Sequence, residues 1–135
     1  MALDIQQREH EGVTIVDLAG RMTVGPEATA FRDKIAALIS AGTRNVVLNL
    51  KRVDYIDSTG LGALVMSATS ERRQGGNVKL VNLSRRSIEL LVMTKLATVF
   101  EIFNDEQDAV NSYYPDRKLK TFDILDFVQQ MKKEE

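Results

Sequence analysis

The stretch Asp54-Tyr55-Ile56-Asp57-Ser58-Thr59-Gly60-Leu61-Gly62 gathers carboxylates, hydroxyls and glycines into one short run. A serine hydrolase built on it would want Gly-x-Ser-x-Gly. Ile56 instead stands at the first glycine position, and the sole histidine, His10, is the only imidazole available as a base. Gly60-Leu61-Gly62 followed by Val65 is a broken dinucleotide fingerprint, with Asn82 near the place where an acidic ribose ligand belongs. No Gly-x-x-x-x-Gly-Lys-Ser/Thr run occurs, so a P-loop is absent. Asp54 and Asp57 could pair for acid–base work or magnesium, although acids ahead of a helix more commonly cap it or favour its positive end. Ser58, just before an apolar helical run, reads by itself as an N-cap whose oxygen accepts a backbone N–H. The expectation is a protein that is not an enzyme and needs no metal or cofactor.

Composition narrows the class further. Cysteine is absent, which excludes disulfides, Cys-ligated zinc, iron–sulfur clusters and thiol catalysis. With Lys+Arg 18 against Asp+Glu 19 the formal charge is -1, without the basic excess of a dedicated nucleic-acid binder, so no direct nucleic-acid contact is expected. No apolar stretch approaches the roughly 20 residues that cross a bilayer. Met1-Ala2-Leu3-Asp4 also lacks the basic start and apolar core of a signal peptide, and the expectation is a cytoplasmic protein with no membrane insertion. A chain of 135 residues can build one core without staples.

The elements that must position this stretch follow from periodicity. Leu3-Asp4-Ile5-Gln6 and Val13-Thr14-Ile15-Val16-Asp17-Leu18 read as a β-hairpin turning at Glu11-Gly12, with His10 facing solvent beside the turn. Pro26 opens a helix whose stripe is Ala28, Phe31, Ile35, Leu38 and Ile39, ending near Gly42. Asn45 to Leu50 reads as a buried strand, apolar on both faces, and the Asp54–Gly60 stretch follows as a loop. The next helix carries Leu61, Leu64, Val65 and Ala68 and stops by Gly75-Gly76. Asn77 to Asn82 is a strand, Ser84 caps a helix with Ile88, Leu91 and Leu96, and Val99 to Phe103 is the last strand. Asn104 with Gln107 resembles a capping box for a helix running through Tyr113 and Tyr114. Arg72-Arg73 and Arg85-Arg86 read as solvated helix decoration. The domain spans 1–114, and an extension over 115–135 offers Phe122, Leu125 and Val128 at helical spacing, widened by Ile124, Phe127 and Met131. That short helix packs on its own domain or docks on a partner or second copy, and the sequence leaves both open, a homodimer included.

Asp57-Ser58-Thr59-Gly60-Leu61-Gly62 after a hydrophobic strand, preceded by Tyr55-Ile56, resembles the signature of the STAS domain of bacterial anti-sigma factor antagonists. Element order over roughly residues 3 to 114 is similar as well. The resemblance implies an α/β fold: a four- or five-stranded mixed sheet with helices largely on one side, here with a C-terminal helical extension. It also implies that the serine at the Ser58 position is phosphorylated by a partner. The Gly20-Arg21 step, between the second strand and the first helix, resembles the family's corresponding loop, with Thr23 where many phosphorylated members carry an acid.

By this resemblance the partner is an anti-sigma factor that is also a serine kinase of the histidine-kinase-like ATPase fold, bound by the unmodified protein. A serine phosphatase resets the switch. Ser58 is the acceptor expected, Thr59 being β-branched and set in the helix. Phosphate adds roughly -1.5 to -2 charges beside Asp54 and Asp57, so a partner surface fitted to a small neutral hydroxyl meets bulk and repulsion. The expected binding surface is Asp57, Thr59, Gly60, Leu61, Gly62 and Met66 on one side and Arg21, Thr23 and Gly25 on the other. On the helical wheel Gly62, Met66 and Ser70 lie away from the core stripe, and Met66 is expected to be exposed. Two other readings stay open: a non-switching STAS scaffold or accessory subunit of a signalling assembly or membrane transporter, and a small-molecule or nucleotide sensor.

Overall fold

The structure, a computed structural model, describes residues 3–117 and 124–134. Strands β1 (Asp4–His10) and β2 (Val13–Met22) form an antiparallel hairpin. Glu11 and Gly12 both take positive φ at its tip (54° and 85°), as a two-residue type I′ turn requires. There follow α1 (Pro26–Ser40), β3 (Asn45–Ile56), α2 (Ser58–Arg73), β4 (Asn77–Val81), α3 (Arg85–Met93), β5 (Glu101–Phe103), α4 (Glu106–Asn111) and α5 (Ile124–Glu134). The strands make one sheet in the order β1-β2-β3-β4-β5, with β2 to β5 parallel, so the expected mixed sheet has five strands.

Every parallel crossover steps the same way across the sheet, and right-handed connections therefore carry α1, α2 and α3 to one face. Strand alternation divides the core accordingly. Val16, Leu18, Val46, Leu48, Leu80 and Ile102 pack with helical residues Phe31, Ile35, Leu64 and Leu91, while Val13, Ile15, Val47, Val81 and Phe103 pack with Ala109 and Val110 of α4. Each such fully buried side chain stabilises the fold by about 1.5–3 kcal/mol before entropy is counted. On the α4 side a polar chain continues across the strands. Asn82 Nδ2 donates to Asn49 Oδ1 at 3.0 Å, Asn49 Nδ2 to Asp17 Oδ1 at 2.7 Å, and Arg8 bridges Asp17 (2.6 Å) and Glu106 (2.9 Å). His10 does not face solvent: it is part-buried, with Nδ1 2.5 Å from Glu106 and Nε2 3.0 Å from Gln107, pinning α4 to the hairpin.

Several boundaries differ from the sequence expectation, each for a visible reason. β2 continues past Leu18 to Met22, and β3 past Leu50 to Ile56, because the two extensions pair with each other (Arg21↔Tyr55, Met22↔Ile56) across register shifts. Gly20-Arg21 and Asp54 consequently lie in strands rather than loops. α3 stops at Met93, before Leu96, in a Schellman ending: Lys95 has φ 62°, and the Leu96 N–H returns to the Leu91 carbonyl at 2.8 Å. β5 has only Glu101–Phe103, since Val99 is drawn into a turn on Leu96. The capping box at Asn104 does not form; Asp105 occupies the N-cap without a side-chain bond, and Gln107 is engaged by His10 and Asn111. α4 ends at Asn111, so Tyr113 and Tyr114 lie beyond it. The Tyr113 hydroxyl sits 2.8 Å and 2.7 Å from the Val46 and Asn77 carbonyls, and burial raises its pKa. In α5, Ile124 is partly buried against the main core and Phe127 lies 6.0 Å from the Arg85 guanidinium, so this helix rests by α3; Phe122 falls outside the described residues.

Candidate partner-binding site

The site forms where the carboxyl ends of β2 and β3 meet the N-termini of α1 and α2. The helix cap is Asp57, not Ser58. Its Oδ1 accepts the Gly60 N–H at 2.8 Å, and its Oδ2 accepts the Val24 N–H at 2.9 Å from the β2–α1 loop. One carboxylate therefore starts α2 and ties the neighbouring loop to it. The Gly60 and Val24 N–H groups, with a smaller contribution from Thr59 and the charge of Arg21, hold Asp57 below the usual carboxylate range. Loop and strand are tied a second time by the Asp57 N–H, which donates to the Met22 carbonyl at 3.2 Å.

Freed from capping, Ser58 occupies the first helical position, exposed, and its hydroxyl has no hydrogen-bond partner among the described residues. Among the described residues neither an imidazole nor a carboxylate is hydrogen-bonded to it; His10 is engaged by Glu106 in the hairpin–α4 contact. Thr59 is half-buried. Gly60 and Gly62 have different reasons to be glycine. A Cβ on Gly60 would stand 2.0 Å from the Met22 carbonyl oxygen, whereas one on Gly62 would meet nothing within 4 Å. Leu61 is buried in the core, so of the expected surface residues it contributes through packing alone.

Down the same face of α2, Met66 is 54% exposed, as expected, and lines a groove with Ile35 and Ile39 of α1. Beside the start of α2, Arg21 near the end of β2 and Gly25 in the following loop are exposed, and Thr23 is half-buried, its carbonyl accepting from the Ala28 N–H. Sequence reasoning missed Val24, which is 67% exposed and supplies the N–H that Asp57 holds. An apolar residue isolated between a strand end and Gly-Pro was the available signal. It also missed the ring of Tyr55, which lies 5.1 Å from the Arg21 guanidinium and 5.3 Å from that of Arg86. Asp54 is exposed on β3 and takes no part in the cap. Among the described residues no three His, Cys, Asp or Glu side chains cluster to hold a metal ion, and no helix is long and apolar enough to cross a membrane.

A family profile described as the STAS domain matches residues 4–109. The chain belongs to the STAS domain family. Among curated STAS relatives, the anti-sigma-B factor antagonist of Bacillus subtilis is 35% identical over 102 residues, covering 76% of this chain and 92% of that protein. Among solved structures, an anti-sigma factor antagonist from Mycobacterium paratuberculosis superposes with a TM-score of 0.73 at 21% identity, over 82% of this chain and 92% of the other. The phosphorylated form of the Bacillus cell fate determinant SpoIIAA gives 0.64 at 19%, over 82% and 99%. At those identities the superpositions speak for the STAS fold.

Proposed function

We propose that this STAS protein is an anti-sigma factor antagonist, a regulatory binding module that holds an anti-sigma factor and is switched off by phosphorylation of Ser58. The observation that carries the reading is the division between neighbours: Asp57 caps α2, leaving an exposed Ser58 hydroxyl with no structural partner at a helix N-terminus. Such a position offers a kinase a group whose modification leaves the fold intact, and the positive end of the helix dipole favours the added charge. The partner is a serine kinase of the histidine-kinase-like ATPase fold, a phosphatase reverses the modification, and the setting is the cytoplasm. The protein is the kinase's substrate and not itself an enzyme. Asp57, Thr59, Gly60, Gly62 and Met66, with Arg21, Thr23 and Gly25, form the contact surface around Ser58, and Leu61 supports it from below. The STAS domain is taken to close at residue 114, with 115–135 as an extension whose helix α5 rests against it through Ile124 and Phe127.

Paired affinity capture with tagged Ser58→Ala and Ser58→Glu proteins, with phosphosites identified by mass spectrometry, tests this reading. Ser58→Ala should retain an ATPase-fold kinase that Ser58→Glu loses by about 10²-fold or more, at about 1.4 kcal/mol per tenfold. Phosphate found on Thr59 or Thr23, or equal capture by both variants, would overturn it.

A further inference from the structure

Beyond Asn49, β3 has no β4 partner: the β3–β4 ladder ends at Asn49↔Val81, while β3 runs on to Ile56 paired only with β2. The open edge faces the start of α3 across a cleft whose walls are Tyr55 and Ile56 on one side and Ser87, Arg86, Leu90 and Met93 on the other. Met93 is 77% exposed among the described residues, an apolar side chain in the wall of the cleft. Arg21 and Arg86 both approach the Tyr55 ring, and neither makes a salt bridge among the described residues. Of the carboxylates lining the cleft, Glu89 is taken up by Arg85 at 3.1 Å, and Asp54 is exposed, opposed by the two arginines. Arg86 lines the cleft and Arg21 flanks it from β2 through the Tyr55 ring, so both place positive charge beside that ring, where an anion is favoured.

We propose that this cleft is a second docking surface, which takes an extended acidic segment of the protein partner with Arg21 and Arg86 as its cationic clamp. The unpaired β3 edge supplies backbone donors and acceptors for an extended chain, the arginines receive its carboxylates, and Leu90 with Met93 receives an apolar side chain between them. The cleft lies along Asp54–Ile56, immediately ahead of Asp57-Ser58, so one partner can span both. In that respect the proposal rests on the anti-sigma antagonist reading.

The test is an NMR titration of the full chain with a capped peptide of alternating Glu and Val, and with its Lys–Val counterpart. Shifts should fall on the Arg52–Ile56 amides and the Arg21 and Arg86 side-chain N–H groups. Affinity should drop at least about tenfold in R86E and in R21E, and several-fold between about 50 and about 500 mM salt. Equal binding of the lysine peptide, wild-type affinity in R86E, or shifts confined to the α1–α2 groove would overturn the proposal. Capture separates it from the Ser58 reading. If R86E keeps the kinase that Ser58→Glu loses, the cleft proposal fails and the Ser58 reading stands. If the acidic peptide binds the cleft while the Ser58 variants capture alike, the cleft stands and the Ser58 reading falls.

Discussion

Ser58→Ala removes a hydroxyl bonded to nothing else in the described chain, so stability in denaturant melts should stay within about 0.5 kcal/mol of wild type. A loss above about 1 kcal/mol would mean that Ser58 has a capping role after all. Asp57→Asn behaves differently, because the carboxylate holds both Gly60 and the Val24 loop. Its pKa is lowered in the folded state, so its stabilisation is present above the unfolded-state pKa and is lost as pH falls through the folded value. The Tm gap between wild type and Asp57→Asn should therefore be open at neutral pH and close in acid. The two glycines make a matched pair. Gly60→Ala drives a methyl into the Met22 carbonyl and should cost at least about 1–3 kcal/mol, whereas Gly62→Ala, in open space mid-helix, should stabilise by about 0.5–1 kcal/mol. Equal effects at the two positions would contradict the close approach of α2 to β2.

At the scale of an element, α2 holds a feature far from Ser58. Glu71, in its last turn, is fully buried, and neither carboxyl oxygen has a hydrogen-bond partner among the described residues. Burial raises its pKa against the attraction of Arg44. A raised acid keeps its proton longer folded than unfolded, so stability falls as pH rises from about 4.5 through the folded value and stays lower above it. Glu71→Gln should match wild type in acid and melt higher near pH 8 (about neutral to mildly basic), checked by Tm across the range. A constant difference at every pH would show that burial leaves the Glu71 pKa unshifted. Periodicity could not reveal this residue, because a glutamate near a helix end reads as solvated. The same method read α1 well, since Pro26, the Ala28–Phe31–Ile35–Leu38 stripe and Gly42 all act locally. It placed the cap one residue late, because Asp57 and Ser58 are both good caps by type and only the loop bond to Val24 decides between them. The extensions of β2 and β3 were likewise hidden, since each is stabilised by the other strand rather than by its own pattern.

For the whole molecule, the tail is the part whose contribution is easiest to measure. Ile124 rests on the main core and Phe127 lies near Arg85, so deleting 116–135 should lower Tm by several degrees, at about 3–6 °C per kcal/mol, while unfolding stays cooperative. An unchanged Tm would show the helix to be independent of the domain, and loss of cooperativity would make it part of the core. The sheet itself was legible because each parallel strand is separated from the next by one helix with its own stop signal, and only the covering of the second face by α4 depended on distant pairs such as His10 with Glu106. Strand order equals chain order across all five strands. As the chain leaves the ribosome, each new strand thus finds its neighbour already in place, and no segment waits for one made much later. The surface around Ser58 is built from β2, α1, β3 and α2 alone, so it is complete before α3 packs on the sheet. A nascent chain can therefore display the proposed recognition face ahead of the rest of the protein.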